Sequence, residues 1–170
     1  YEFDAIVIGA GIVGLAIAHE LSTTYENILL IDKENSYGQH VSSRNSEVIH
    51  SGIYYKPDSL KATLCVEGNH LIYDFSKKYN INHRNCGKLI VIPTIKEQPN
   101  LEELMQNGIR NGVEGLQILT QREVSQREPL IKAAGAIYVP STGIIDSHAI
   151  MKRLEYLITS SESSIVYNTE

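Results

Sequence analysis

Short unbroken apolar runs alternate along this chain with stretches in which apolar residues return every three or four positions. The first run, Ala5-Ile6-Val7-Ile8, enters Gly9-Ala10-Gly11-Ile12-Val13-Gly14. A helical pattern follows, with Leu15, Ala18 and Leu21 on one face. A second run, Ile28-Leu29-Leu30-Ile31, ends in Asp32. Strand, helix, strand in so few residues predicts a parallel pair with a right-handed crossover. Ser59 is placed to cap a long helix over 60–79, with Leu60, Leu64, Leu71, Phe75 and Tyr79 as its buried face and Ile72 alongside. Gly68 in its middle costs about 1 kcal/mol against Ala, which predicts close packing there. Beyond it the pattern predicts a strand at Lys88–Ile92 bounded by Gly87 and Pro93. A helix over 101–109 stops at Asn111-Gly112, and a strand covers 117–119. Thr120 and Glu123 form a capping box for a helix that Pro129 ends. A strand at Gly135–Val139 and a helix capped by Asp146 or Ser147, running to about residue 160, come next. Residues 164–170 read as a strand cut off in mid-course, which predicts a longer polypeptide.

The fold expected is α/β: a Rossmann-like nucleotide-binding domain with a parallel sheet core, joined by part of a β-rich substrate-side lobe. The division expected is 1–87 for the core, 88–140 for a partial insertion and 141–170 for a returning helix and strand. The length of 170 residues with 42% apolar content suits one domain with a lobe. A net charge of −5 argues against a nucleic-acid surface. No apolar run reaches the ~18 residues that span a bilayer. A strand expected from residue 3 predicts no signal peptide, with a processed start as the alternative, since no Met precedes Tyr1. Two cysteines, Cys65 and Cys86, stand too far apart for a redox or metal pair and fit a reducing compartment. Together these predict a cytoplasmic protein, with peripheral membrane association, or an organelle matrix in a eukaryotic source, left open. Cys65 is expected to be a buried small apolar residue.

Two segments carry candidate chemistry. In Gly9-x-Gly11-x-x-Gly14, Gly9 allows the strand-to-helix turn, Gly11 admits a diphosphate to the backbone, and Gly14 lets the helix press on the strand. The diphosphate would meet Ile12 and its neighbours at the positive end of the helix. Asp32 stands 18 residues past Gly14, about where a ribose-binding acid belongs, and its charge disfavours a 2′-phosphate. NAD and the adenosine half of FAD both satisfy these residues. The second segment, Ser42-Ser43-Arg44-Asn45-Ser46, offers hydroxyl, amide and guanidinium donors suited to phosphate. His50 follows it, and a solvated loop leading into an edge strand explains the composition equally well. Tyr54 and Tyr55, read as strand neighbours, would point to opposite faces. The other histidines show no metal spacing, and no metal site is expected.

Gly9 to Gly14 taken with Ser43-Arg44-Asn45-Ser46-Glu47-Val48-Ile49-His50-Ser51-Gly52-Ile53-Tyr54-Tyr55-Lys56-Pro57 resembles the FAD-dependent oxidoreductases of the D-amino-acid oxidase superfamily. Within it the chain most resembles the L-2-hydroxyglutarate dehydrogenase/oxidase family. The likeness extends through Ser59-Leu60-Lys61-Ala62, Cys65-Val66-Glu67-Gly68, the segment from Cys86 to Val91, and that from Gly135 to Asp146. The resemblance implies extended FAD. Gly9, Gly11 and Gly14 would take the diphosphate, Asp32 the ribose, and Lys33 would lie beside the adenine. Ser42, Ser43, Arg44, Asn45 and Ser46 would run along the cofactor, with His50, Gly52 and Ile53 near the flavin ring. It implies hydride transfer to flavin from a small 2-hydroxy acid, with His50 as base, orienter or cofactor contact and Tyr54 presenting a phenol to a carboxylate. The electron acceptor would be oxygen, a quinone or an electron carrier. A glycerol-3-phosphate dehydrogenase, an amino-acid oxidase relative and a non-catalytic nucleotide-binding fragment are the alternatives. Glu47 departs from the resemblance, since glycine is common at that place, and family members are about twice as long.

Overall fold

The computed structural model describes residues 2–169; Glu170, at the end of the predicted last strand, lies outside them. In chain order the elements are β1 (Ala5–Ile8), α1 (Ile12–Ser22), β2 (Ile28–Ile31), β3 (Val48–Ile49), α2 (Leu60–Lys78), β4 (His83–Arg84) and β5 (Lys88–Ile92). They continue with α3 (Gln98–Arg110), β6 (Gln117–Thr120), α4 (Gln121–Arg127), β7 (Gly135–Val139), β8 (Gly143–Ile145), α5 (Ser147–Thr159) and β9 (Ser164–Val166). They group into two compact units: Tyr1–Glu47 with Tyr79–Asn82 and Asp146–Glu170, and Val48–Lys78 with His83–Ile145. The expected insertion at 88–140 lies inside the second unit, and the returning segment enters the first unit at Asp146.

The first unit is the predicted parallel layer. β1 pairs with β2 from Ala5 opposite Ile28 to Ile8 opposite Ile31, and β2 pairs with β9 from Leu29 opposite Ser164, both in parallel. Ile28 and Leu30 of β2 and Leu15 and Ala18 of α1 are fully buried. Helix α5 packs against α1. It buries Ile150, Met151, Leu154 and Ile158, a single helical stripe, and each such side chain withdrawn from water contributes about 1.5–3 kcal/mol. The last strand is shorter than predicted. Asn168 turns the chain with φ +56°, and its amide and that of Thr169 donate to the carbonyls of Glu34 and Asp32.

The second unit holds two antiparallel sheets, β5–β7–β6 and β3–β8–β4. Ile53, Ile92, Leu101, Val113, Ile137 and Val139 make its main core, while Leu119, Val124, Ala133 and Ala136 form a smaller one. The Thr120 capping box is complete, with Thr120 and Glu123 each bonded to the other's amide.

Four expectations are corrected here. Helix α2 buries Ala62, Asn69, Tyr73 and Ser76, while Leu60, Leu64 and Leu71 are exposed. The buried face was chosen by hydrogen bonding: Asn69 Nδ2 donates to the carbonyls of His50 and Ser141, each at 2.9 Å, and Tyr73 Oη to that of Ser141. Gly68 is not closely packed, because a Cβ there would meet nothing within 4 Å. Tyr54 and Tyr55 lie in turns after the two-residue β3, not in a strand, because Gly52 takes φ +92° and ends the extended run. Cys65 is half-buried and Cys86 exposed, both as free thiols. No helix among the described residues is long and apolar enough to cross a membrane.

Candidate functional site

In the first unit the chain climbs β1 and reverses into α1 through glycines that nothing else replaces. Gly9 sits at φ +102°, and its amide donates to the Ile31 carbonyl of β2. A Cβ on Gly14 would stand 1.8 Å from the Gly9 carbonyl oxygen, so the helix presses directly on the turn. Gly11 is the N-cap of α1. Having no side chain, it supplies no capping bond, and no acid occupies the first turn. The positive end of α1 is therefore not neutralised by its own sequence.

Two side chains from elsewhere in the unit converge on this turn. Ser42, in a single 3-10 turn at Val41–Ser43, accepts a hydrogen bond from the Ile12 amide at 3.0 Å. A Cβ on Gly11 would come within 3.2 Å of the same Ser42 hydroxyl. Asp32 accepts from the amide of Ala10 through one oxygen and from that of Glu34 through the other, the latter at 2.8 Å. Burial pushes the Asp32 carboxyl up. The two amide bonds and the charges of His40 and Lys33 outweigh it, and the group is held below its ordinary value. An ionised carboxylate offers about four acceptor positions, so two remain for ribose hydroxyls.

Arg44, Asn45 and Ser46 of the serine-rich loop are exposed, while Ser43 is half-buried. Asn45 folds back on its own backbone, donating to Ser42 O at 2.8 Å and accepting from the Glu47 amide at 2.8 Å. Ser43 Oγ lies 3.1 Å from where a Gly38 Cβ would stand, and Ser46 and Lys33 face solvent. The Arg44 guanidinium has no hydrogen-bond or ion-pair partner among the described residues. An open helix N-terminus, a hydroxyl beside it, an acceptor at the end of β2 and an uncommitted guanidinium fit a dinucleotide.

Glu47 is held at φ +55°, a conformation that L side chains rarely adopt. Its carboxylate accepts from the Ser147 amide at 3.0 Å and the Ser147 hydroxyl at 2.7 Å, which holds it below its ordinary value. Asp146, as N-cap, accepts from the Ala149 amide. Glu47, Asp146 and His148 place donor atoms within 4.8 Å of one another. The bonds of both carboxylates make this group the cap of α5.

In the second unit, His50, Gly52 and Tyr54 share one turn. His50 is exposed, and its imidazole has no partner among the described residues. Gly52 is buried, and a Cβ there would meet Val66 Cγ2 at 2.9 Å. Burial raises the Tyr54 phenol above its ordinary value, so it is a neutral donor, and Lys88 Nζ sits 4.5 Å from the ring centroid. The sequence did not single out the asparagines that hold this turn. Asn107 Nδ2 donates to the carbonyls of Ile53 (2.7 Å) and Tyr55 (2.9 Å). Asn111 Nδ2 donates to those of Gly52 (2.9 Å) and Tyr55 (2.8 Å). The available signal was two asparagines four residues apart, hence on one helical face, with Gly108 between them.

Comparison with known proteins identifies the family. Residues 4–170 match the protein-family model described as FAD dependent oxidoreductase. A protein of Arabidopsis thaliana named "L-2-hydroxyglutarate dehydrogenase, mitochondrial" is 46% identical over 151 residues, covering 89% of this chain and 31% of its own length. The Homo sapiens protein of the same name is 39% identical over 171 residues, covering 99% of this chain and 37% of its own. Among solved structures, dithionite-reduced L-α-glycerophosphate oxidase from Mycoplasma pneumoniae with FAD bound superposes with a TM-score of 0.92 at 30% identity. It covers all of this chain and 46% of its own. Glycine oxidase from Geobacillus kaustophilus, at 23% identity and a TM-score of 0.86, shares the fold. The chain thus spans 31% to 47% of the length of these proteins.

Proposed function

The chain belongs to the family of FAD-dependent oxidoreductases, and from that premise we propose that the intact protein oxidises a small 2-hydroxy acid of the L-2-hydroxyglutarate type. The observation that carries this reading is the 39–46% identity to proteins named for that dehydrogenation. The chemistry supplied by bound FAD is acceptance of a hydride from the carbon bearing the substrate hydroxyl. The N-terminus of α1 at Gly11, the Ser42 hydroxyl that the Ile12 amide orients, and Arg44 hold the diphosphate, and Asp32 holds the ribose. Gly9 and Gly14 keep the turn open for both, and Lys33, Ser43, Asn45 and Ser46 border the same cofactor.

His50 takes or orients the hydroxyl proton at its imidazole, which leaves a 2-oxo acid as product. The Tyr54 phenol donates to a substrate carboxylate, and Gly52 leaves its turn without a side chain. The electron acceptor would be oxygen, a quinone or an electron carrier. The word mitochondrial in the relatives' names favours an organelle matrix over the cytoplasm if the source is eukaryotic. A second reading, oxidation of glycerol 3-phosphate, is favoured by the 0.92 TM-score to the glycerophosphate oxidase.

Anaerobic mixing of the FAD-loaded intact protein with each substrate tests both. L-2-Hydroxyglutarate should bleach the flavin absorption, while glycerol 3-phosphate and amino acids should leave it unchanged. Bleaching by glycerol 3-phosphate alone would favour the second reading. Replacing His50 with Asn should slow the bleaching about 10²-fold, and an unaltered rate would remove His50 from proton transfer.

A further inference from the structure

Helix α3 reaches the turn at 50–55 from a position 52 to 59 residues further along the chain. Its approach is set by Gly108. A Cβ there would lie 2.8 Å from Ile53 Cγ1 and 2.7 Å from Leu116 Cδ1. With no Cβ, the helix settles against the fully buried Ile53, which inserts into the main core of its unit. Asn107 and Asn111, one helical turn apart, then reach the carbonyls of Gly52, Ile53 and Tyr55 with four hydrogen bonds. Asn69 of α2 takes the carbonyl of His50. Four of the six carbonyls from His50 to Tyr55 are thereby held by asparagine side chains.

This seam is an expensive way to hold a turn. Asparagine and glycine are poor helix formers, yet the last turn of α3 contains Asn107 and Gly108, with Asn111 following as the C-cap. Asn111 Oδ1 is buried without a partner, a debt that stable packing avoids. Gly52 is held in the left-handed region besides. Local rules broken together at one place mark a segment whose conformation matters more than its stability. We propose that Asn107 and Asn111, docked by Gly108, are positioning residues that hold the backbone carrying His50, Gly52 and Tyr54 in its working conformation. The working role of that turn rests on the function proposed above; the docking itself does not.

The test uses the intact protein with Asn107→Ala, Asn111→Ala and Gly108→Ala. Val124→Ala, in the smaller core, serves as a comparison of pure stability loss. Amide hydrogen exchange, measured without ligand, should accelerate about tenfold across residues 50–56 in the three seam variants and not in Val124→Ala, as expected for lost hydrogen bonds. With FAD bound, the seam variants should shift the visible circular dichroism of the flavin and lower kcat about tenfold or more, with little change in KM. Gly108→Ala keeps both asparagines, so it answers if an asparagine variant fails to fold.

Exchange no faster than in Val124→Ala would overturn the docking. Faster exchange with unaltered kcat and flavin spectrum would overturn the positioning role. A wild-type protein that takes up no flavin would instead sink the proposed function, and the exchange comparison would still decide whether α3 holds the turn.

Discussion

At the scale of single residues, what the sequence shows best is what sterics demand. Gly14 was readable because a side chain there would collide with the Gly9 carbonyl, and the same demand recurs wherever a helix starts against its own strand. Asp32 was placed by spacing. Its bonds to the amides of Ala10 and Glu34 at the end of β2 are visible only in the folded chain. Glu47 stands out in the sequence as a departure, but its role does not: the side chain crosses 100 residues of sequence to bond Ser147.

Asp32 also sets a pH dependence. Its folded value is depressed, so the stability from its ionised form is complete above the ordinary value of 3.8 and is lost as pH falls through the lower folded value. The melting-temperature gap between wild type and Asp32→Asn should therefore be constant from about pH 7 to 5 and narrow below pH 4. A gap that stays constant to pH 3 would show that the charge of Asp32 does not hold the turn.

At the scale of elements, long periodic segments were legible and short pairings were not. β3, β4 and β8 have two or three residues each, too few for a period to register. Helix α2 was found within a residue of its ends, and Ser59 caps it through the Ala62 amide, yet its buried face was misread. Apolar spacing favoured the leucines, whereas the fold spent the inner face on Asn69 and Tyr73, whose targets lie up to 72 residues away. No local pattern carries such a bond.

The same misreading yields a prediction about Gly68. With open space around its Cβ and no left-handed backbone, Gly68→Ala in the 170-residue chain should stabilise by about 0.5–1 kcal/mol in urea unfolding. Destabilisation would mean that some surface covers the stripe of Leu60, Leu64 and Leu71.

At the scale of the molecule, the described residues make two units, one carrying the open helix N-terminus and the other the His50 turn. The sequence revealed the cofactor unit through its fingerprint and the second unit mainly through resemblance. Antiparallel strands joined across long loops leave little local trace. The central claim is that the N-terminus of α1, with Ser42 beside it, receives the diphosphate of FAD. The most direct measurement is a titration of the intact apoprotein with FAD, and separately with NAD, followed by quenching of flavin fluorescence and by calorimetry. Wild type should saturate with FAD and show no heat with NAD. Gly11→Ala, which inserts one methyl between the helix and Ser42, should weaken FAD about tenfold or more, a loss of ~1.4 kcal/mol, without lowering the melting temperature of the apoprotein. Saturation by NAD in place of FAD, or equal FAD affinity in wild type and Gly11→Ala, would contradict the account.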